Sequence, residues 1–267
     1  MRTMLTAMLL AGAISSTALC DDGDFQWQGK LASGQLLEVR GLWGAIHAEG
    51  TSDGTASVTA HKTGNASDPA AVSIQVVPFN GGVVFCAIYP DAGQDHPNTC
   101  GAPGQDTYLN KDGKNDVQVE FTIKVPKGVR LSAITQKGEV QATSLAADVD
   151  ASTLDGDVTI STTGATQANT MHGSITASIG SVNWSGLRSF TTRGGNMDLQ
   201  IPADANVTVS ANVFNGVLTS DFSLMTTSPS MSLFVMASGT LGTDGRSLHL
   251  LAFNGNITLH QGPASNR

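Results

Sequence analysis

The stretch Asp155-Gly156-Asp157-Val158-Thr159-Ile160 shows a pattern that recurs through the second half of the chain. It consists of a turn residue, a glycine, a short polar residue and then alternating apolar and polar positions. The pattern recurs at Lys137-Gly138-Glu139-Val140-Gln141-Ala142, His172-Gly173-Ser174-Ile175-Thr176-Ala177, Gly194-Gly195-Asn196-Met197-Asp198-Leu199, Asn215-Gly216-Val217-Leu218 and Asn254-Gly255-Asn256-Ile257-Thr258-Leu259. From Gly138 to Gly216 these repeat-turn glycines follow one another at intervals of 17 to 22 residues, the length of one coil in a β-solenoid.

The spacing within each unit is that of a strand that follows a sharp turn. Side chains alternate between the two faces of a strand, so Val158 and Ile160 point one way and Thr159 the other. The preceding Asp155-Gly156 pair turns the chain at little steric cost. Stacked units would bury their Val, Ile, Leu and Ala side chains in one continuous column. The pattern therefore predicts an all-β fold, a parallel β-solenoid or β-helix-like repeat stack.

A second architecture fits the same local signals. Asp-Gly and Asn-Gly between alternating strands are also the strongest short-range signal for antiparallel hairpins. A Gly-rich antiparallel β-sandwich or meander is therefore the alternative.

The first half of the chain is less regular but also has β periodicity. Its longest alternation ends at Pro126 and Gly128, and Leu42–Ala48 is a further relative of the repeat. We predict four parts: a signal peptide at 1–20, an N-terminal β region at 21–128 with a disulfide-pinned loop at 86–116, the solenoid repeats at 129–262 and a polar tail at 263–267.

The N-terminus has the composition of a secretory signal. A short basic start with Arg2 precedes an uncharged apolar run at 4–14 and small residues at 15–18. Cleavage after Ala18 and cleavage after Cys20 both fit, and Leu19 is a poor match to a lipidation signal. No second apolar stretch has the roughly 20 residues of a membrane span. We expect an exported protein of the periplasm, the cell surface or the medium, with no stable membrane span.

Export changes the interpretation of the cysteines. Cys86 and Cys100 flank a loop rich in Pro, Gly, Asp and Asn, and in an exported chain they are expected to form a disulfide. Closing such a loop contributes about 3 kcal/mol. Neither cysteine belongs to a CxxC pair, so no metal site is predicted there.

The charge pattern narrows the class of partner. The chain has a formal net charge of −8 and no basic cluster, which argues against nucleic acid. The expected partner is an unidentified glycan or protein at the cell surface.

The order of these motifs resembles the putative bacterial adhesin family, a domain of unknown function with β-solenoid-like repeats. The resemblance is carried by Val125-Pro126-Lys127-Gly128-Val129-Arg130-Leu131, by the repeated xG-[DESN]-[VIM] units and by the closing Gly239-Thr240-Leu241-Gly242, Ser247-Leu248-His249-Leu250 and Asn254-Gly255-Asn256-Ile257. It covers the chain from about Gln35 to His260. The resemblance implies a right-handed β-solenoid and an envelope or surface location, with no catalytic residues to transfer.

The polar residues give few indications of catalysis or metal binding. No zinc-protease, nucleophile-elbow, P-loop or dinucleotide motif occurs. Asp148, Asp150, Asp155 and Asp157 could serve as paired carboxylates of a glycosidase, but no Arg or Lys is expected beside them to stabilise an anionic transition state, and Asp155 and Asp157 suit a turn. The segment 111–116 lacks the ligand series of a calcium loop.

We therefore predict a non-catalytic, exported envelope or surface protein with an adhesin-like binding or structural role, and with no catalytic residue, metal or cofactor. Outward Ser and Thr positions such as Thr159, Ser161, Thr176 and Ser178 suit that role. The alternative is a β-helical polysaccharide lyase or glycoside hydrolase.

Overall fold

The computed structural model describes residues 19–21, 24–90, 96–181, 184, 186–228, 233–243 and 246–264. Within these residues the one helix is a short 3-10 turn at Pro69–Ala71, and the remaining regular structure is strand. The strands are β1 (Leu19–Asp21), β2 (Asp24–Gly29), β3 (Leu36–Arg40), β4 (Ile46–Thr51), β5 (Ala56–Thr63), β6 (Ser73–Phe79), β7 (Gly82–Ile88), β8 (Gln118–Pro126), β9 (Arg130–Ile134), β10 (Val140–Leu145), β11 (Val149–Ser152), β12 (Val158–Thr162), β13 (Thr166–His172), β14 (Ile175–Ser178), β15 (Leu187–Gly194), β16 (Met197–Pro202), β17 (Val207–Phe214), β18 (Leu218–Ser220), β19 (Met225–Thr227), β20 (Phe234–Leu241), β21 (Arg246–Ala252) and β22 (Ile257–Gly262). The prediction of an all-β protein is confirmed.

The strands form two sheets of eleven strands each. Sheet A has the order β1-β2-β5-β8-β4-β10-β12-β14-β16-β22-β18. Sheet B has the order β19-β20-β17-β21-β15-β13-β11-β9-β3-β7-β6. From β9 to β16 the chain alternates between the sheets, one strand in each, so that each pass adds one strand to both.

The centre of each sheet is parallel and in register. In sheet A, Val140 lies opposite Val158, which lies opposite Ile175. Met197 and Ile257 continue the same row. These are the first apolar positions of successive repeat units, so equivalent residues of the repeat are neighbours in space.

Most of the outer strands pair in antiparallel fashion, whereas β18 is parallel to β22. At one end β5 pairs with β8 and β2 with β5 in sheet A, and β6 pairs with β7 in sheet B. At the other end β20 pairs with β17 and β19 with β20. Both sheets are therefore mixed, and two mixed sheets are compatible with the sandwich alternative as well as with a solenoid.

The order of the strands in space departs from their order in the chain at both ends. β4 lies between β8 and β10, although β8 and β10 are consecutive in the sequence among the strands of sheet A. β22, the last strand of the chain, lies between β16 and β18. The regular spacing of the glycines predicts neighbours in chain order, so it could not indicate these two exchanges.

The predicted regions 21–128 and 129–262 contribute to the same sheets, because β3 pairs with β9 and β4 with β10. The predicted signal peptide lies outside the described residues except for Leu19 and Cys20, which begin β1. Of the tail, residues 263 and 264 are described, and they are exposed.

One hydrophobic core fills the space between the sheets. It takes the inward side chains of both, such as Ile160 and Met197 of sheet A and Leu131 and Phe190 of sheet B. Most outward residues of the same strands are polar, as the alternation predicts, with Ile134 and Leu187 as exceptions.

The repeat-turn glycines lie in one row at the entry to sheet A, where the backbones approach too closely for any side chain. A Cβ at Gly156 would lie 2.1 Å from the carbonyl oxygen of Gly138, and a Cβ at Gly173 would lie 1.9 Å from that of Gly156. The row continues through Gly195 to Gly255 and then to Gly216, and at its other end Gly138 faces Gly44. Gly44 belongs to the early relative of the repeat. Left-handed backbone adds to the requirement at Gly138, Gly156 and Gly195.

Buried threonines form a second row beneath the glycines. Thr153 donates its hydroxyl proton to the carbonyl oxygen of Gly138 over 2.9 Å, and Thr170 donates to that of Gly156 over 2.9 Å. Thr135 and Thr192 make the same bond to Gly44 and Gly173. Each threonine lies three positions before the glycine of its own unit, a T-x-x-G spacing that the sequence analysis missed.

The short polar residue after each glycine binds the backbone of the next strand. Asp157 accepts a hydrogen bond from the backbone N–H of Ser174, and Ser174 accepts one from that of Asn196. Asn196 accepts one from Asn256, which in turn accepts one from Val217. This position therefore links neighbouring strands.

Two adjacent glycines give a test of the close approach. Replacement of Gly195 by alanine places a Cβ 2.2 Å from the carbonyl oxygen of Gly173, and we expect it to lower the free energy of unfolding by about 3 kcal/mol. Gly194→Ala is the matched control, because its Cβ would meet nothing nearer than 3.7 Å. It should change the free energy by no more than about 1 kcal/mol. Urea denaturation measures both, and equal losses would contradict the steric account.

The threonine row gives a second test. Thr170→Val keeps the shape of the side chain but removes the donor to the Gly156 carbonyl, and Thr170 is fully buried. We expect a loss of about 1–2 kcal/mol in the free energy of unfolding. Thr176→Val, at an exposed site of sheet A, should cost less than about 0.5 kcal/mol. The idea fails if urea denaturation finds the two variants equally stable.

Candidate functional site

The structure separates the four aspartates that sequence analysis grouped as possible catalytic carboxylates. Asp148 and Asp150 lie at the start of β11 in sheet B, and both bind Arg188 of β15. Asp155 and Asp157 lie in the turn row at the entry to sheet A, and Asp155 contacts His172 over 2.6 Å. The expectation that no arginine lies beside these carboxylates is therefore wrong for the first pair.

Arg188 holds Asp148 and Asp150 together by two contacts. Its Nη1 lies 3.0 Å from Asp150 Oδ1, and its Nη2 lies 3.2 Å from Asp148 Oδ2. Asp148 also accepts a hydrogen bond from the backbone N–H of Ala165. Because β13 lies between β11 and β15, the arginine reaches across one strand to join two others.

The environment of Asp150 acts on its proton affinity in two directions. Burial raises the pKa of Asp150 above its usual range, and the positive charge of Arg188 opposes that rise. The negative charge of Asp148 adds to it. Because the guanidinium of Arg188 binds both carboxylates, the arrangement links β11 to β15. An acid and base pair that acts on a glycosidic bond would need these carboxylates free.

 A second ion pair between an arginine and a carboxylate lies under the long loop. Arg40 Nε lies 2.6 Å from Glu38 Oε1, and Glu38 is only 6% exposed. The loop covers the pair, because Arg40 also donates to the carbonyl oxygen of Gly101 and to the hydroxyl of Thr107. The loop therefore shields one end of sheet B from solvent.

The two predicted disulfide cysteines lie where this loop leaves sheet B. The sulfur atoms of Cys86 and Cys100 are 2.02 Å apart, and their Cα atoms are 5.9 Å apart. Cys86 belongs to β7, so the bond would fasten the loop to the sheet that it covers.

The aspartates of the segment 111–116 accept hydrogen bonds from the backbone. Asp116 accepts hydrogen bonds from the backbone N–H groups of Asn65, Ala66 and Ser67, and these bonds lower the pKa of Asp116 to about 2. Asp112 accepts one from the backbone N–H of Lys114. Among the residues that the structure describes, no group of three or more His, Cys, Asp or Glu side chains could hold a metal ion.

The tryptophans divide into buried and half-buried positions. Trp27 and Trp184 are each 4% exposed. Trp43 is half-buried, and the amino groups of Lys111 and Lys137 lie 4.5 Å and 4.8 Å from the centre of its ring. These cation–π contacts occupy the indole of Trp43.

The outer face of sheet A brings the predicted hydroxyl positions together. Thr159 lies opposite Thr176, and Ser161 lies opposite Ser178, in adjacent parallel strands. We call these four residues the hydroxyl patch. On the neighbouring strands, Gln141 and Asp198 extend the row of Thr159 and Thr176. Gln200 extends the row of Ser161 and Ser178. The outward row that contains Thr159 has a polar side chain on each of eight strands, Thr122, His47, Gln141, Thr159, Thr176, Asp198, Thr258 and Thr219.

The outer face of sheet B is less uniform. It has polar residues such as Ser132, Gln167 and Asn169, which border a shallow groove beside Asp150. It also exposes apolar side chains, among them Ile134 and Met236. Sheet A therefore has the more regular polar surface.

No family model matches the chain, and no curated protein matches it. A solved structure of a putative cell adhesion protein from Clostridium sporogenes aligns with 89% of this chain and 99% of its own, at 10% identity and a TM-score of 0.46. A putative adhesin from Bacteroides fragilis aligns with 88% of this chain and 96% of its own, at 12% identity and a TM-score of 0.32. With both TM-scores below 0.5, these likenesses do not establish a shared fold or function, and membership of the adhesin family stays a prediction. No helix among the described residues is long and apolar enough to cross a membrane.

The Arg188 cluster gives a test with a defined pH dependence. Arg188→Gln removes the charge that Asp148 and Asp150 share, and we expect it to lower the free energy of unfolding at pH 7 by about 1–2 kcal/mol, since both carboxylates are partly exposed.

The loss should become smaller as the pH falls towards 4. Burial already raises the pKa of Asp150, and removal of Arg188 raises it further, so the folded variant takes up a proton before the unfolded chain does. Thermal melting of both proteins between pH 4 and pH 8 measures this difference. A loss that does not change with pH would show that Arg188 acts through packing alone.

Proposed function

We propose that the protein is an exported, non-catalytic surface protein that binds an extended polysaccharide along the outer face of sheet A. The observation that carries the proposal is the in-register polar row across eight parallel strands of this sheet. Neighbouring strands are about 4.8 Å apart, so eight strands span about 34 Å. The distance between neighbouring strands is close to the length of one hexose unit in an extended polysaccharide.

The composition of the hydroxyl patch suits a ligand rich in hydroxyl groups. Serine and threonine each offer one donor and two acceptor sites, and their short side chains lose little rotamer freedom on binding. Thr159, Ser161, Thr176 and Ser178 are carried on the inner strands β12 and β14. Sites on such strands are held more precisely than sites on loops.

We further propose that the stack is a parallel β-solenoid, right-handed as the family resemblance implies. Strands β9 to β16 alternate between sheets B and A, and each is parallel to the strand that follows in its own sheet. The glycine row and the threonine row repeat once in each pass. Antiparallel strands at the two ends would then serve as caps.

Export and the absence of catalysis are parts of the same proposal. Cysteines at bonding distance favour an oxidising compartment, in agreement with the predicted signal peptide. The four aspartates considered for catalysis are engaged by Arg188, by His172 and by the backbone N–H of Ser174. A polysaccharide lyase or hydrolase would need an acid and a base free to act on one bond.

A binding experiment with two matched variants tests the proposal. The mature protein is applied to an array of polysaccharides and matrix proteins, and the polysaccharides are analysed for released fragments. We expect saturable binding to a polysaccharide without fragments. Replacement of Thr159, Ser161, Thr176 and Ser178 by alanine should weaken that binding at least about tenfold.

The control carries four alanines on the outer face of sheet B, at Ser132, Ser152, Gln167 and Asn169. It should bind as the wild type does. Equal losses in both variants would place the ligand elsewhere, and binding to matrix proteins alone would replace the polysaccharide by a protein ligand. Released fragments would reject a non-catalytic role and make Asp148 and Asp150 the first residues to replace.

A further inference from the structure

Among the residues that directly precede the repeat-turn glycines, one lacks a side chain. The residue before each repeat-turn glycine is Lys137, Asp155, His172, Gly194, Asn254 or Asn215. His172 and Gly194 are register partners in β13 and β15, and Asn254 follows in the next strand-to-turn connection. Gly194 therefore leaves a gap between the side chains of His172 and Asn254. We call this gap the Gly194 notch, and Arg193 and Phe253 complete its walls.

The backbone does not require glycine at the notch. A Cβ at Gly194 would lie 3.7 Å from the carbonyl oxygen of Met171 and 4.0 Å from Cδ2 of His172, both ordinary contacts. At Gly195 the nearest atom would be 2.2 Å away. Packing thus explains Gly195 but leaves the open space at Gly194 unexplained.

The notch has a positively charged wall that stacked aromatic rings support. The Arg193 guanidinium carbon lies 5.5 Å from the centre of the Phe253 ring. Phe253 stacks on Phe214 at 5.1 Å with an angle of 12°, and Phe214 stacks on Phe234 at 4.3 Å with an angle of 21°. The rings restrict the arginine without neutralising its charge.

Arg193 differs from Arg40 and Arg188, two other arginines of sheet B. Arg40 and Arg188 are paired with carboxylates, whereas within the described ranges no carboxylate lies within 4.0 Å of Arg193. Arg193 is also exposed. Its guanidinium can therefore accept an anionic partner from outside the chain.

The two flanking side chains are held in place. His172 Nδ1 lies 2.6 Å from Asp155 Oδ1, and because a carboxylate only accepts, Nδ1 carries a proton. Asn254 donates through Nδ2 to the carbonyl oxygen of Arg193 and accepts through Oδ1 from Asn215. The walls are thus ordered before any ligand arrives.

We propose that the Gly194 notch binds an oxyanion, the carboxylate or sulfate group of an acidic polysaccharide, with Arg193 as its charged partner. The proposal rests on the proposed function, because it names the class of polysaccharide that lies against sheet A. Gly194 is three residues before Met197, the first residue of β16, and β16 carries Asp198 and Gln200 on that face. A planar guanidinium matches both oxyanions with paired N–H groups.

The net charge of the protein sharpens the test. At −8 the chain repels an anionic polymer at long range, so attraction has to come from a local group. The probes are polygalacturonate, which carries carboxylates, dextran sulfate and neutral dextran. Calorimetric titration at two salt concentrations measures their affinity for the mature protein.

We expect the wild type to bind one of the acidic polymers more tightly than dextran. Arg193→Gln should weaken that binding about tenfold or more, and Gly194→Val, which fills the notch, should do the same. Lys127→Gln is the matched control, since it removes one exposed positive charge on the turn after β8. It should bind as the wild type does, and thermal melting confirms that each variant is folded.

Three outcomes would contradict anion binding at the notch. In the first, the wild type binds neither acidic polymer. In the second, the Arg193→Gln and Gly194→Val variants are folded and keep the wild-type affinity, and in the third, Lys127→Gln loses as much affinity as they do. In each case the tetra-alanine variant of the hydroxyl patch decides separately on the proposed function. Loss of polysaccharide binding in that variant would keep the face of sheet A as a site even where the notch is rejected.

Discussion

The structure depends on the close approach of one glycine backbone to the next. Each carbonyl oxygen in the row occupies the space where a Cβ of the neighbouring unit would lie, about 2 Å from it, so a residue larger than glycine cannot enter without moving a strand. The same carbonyl oxygen takes the hydroxyl proton of a buried threonine, as Gly156 does from Thr170. The steric contact and the hydrogen bond together fix the position of each repeat unit relative to its neighbour. That position determines the register of the strands that follow the turn.

The regular outer surface of sheet A is a consequence of this register. A shift by one residue would turn the outward side chains into the core and the inward ones into solvent. Because Val158 is held opposite Ile175, Thr159 must lie opposite Thr176 and Ser161 opposite Ser178. The register therefore orders the backbone of the hydroxyl patch, in which Ser178 also donates a hydrogen bond to Gln200.

Features that depend on local sequence were predictable, and features that depend on distant partners were not. The alternation at Val158 and Ile160 indicates a strand, and the structure places β12 there. In contrast, Arg188 binds Asp150 from 38 residues away across an intervening strand, and no local pattern indicates that contact. The position of β22 between β16 and β18 has the same character, because equivalent units carry equivalent patterns in any order. The buried Glu38 and Arg40 required knowledge of where the loop folds.

Gly194 and Gly195 show why one residue type can have two physical roles in adjacent positions. Gly195 belongs to the row in which backbones touch, and its left-handed conformation adds a second constraint. Gly194 meets neither condition, so an asparagine or aspartate, such as other units carry, would fit its backbone. A side chain there would cover the space beside Arg193 and bring its own hydrogen-bonding group to the guanidinium. The absence of that side chain leaves the arginine, which the Phe253 ring supports, facing an open space, and an open space beside an unpaired positive charge is the simplest arrangement for binding an anion.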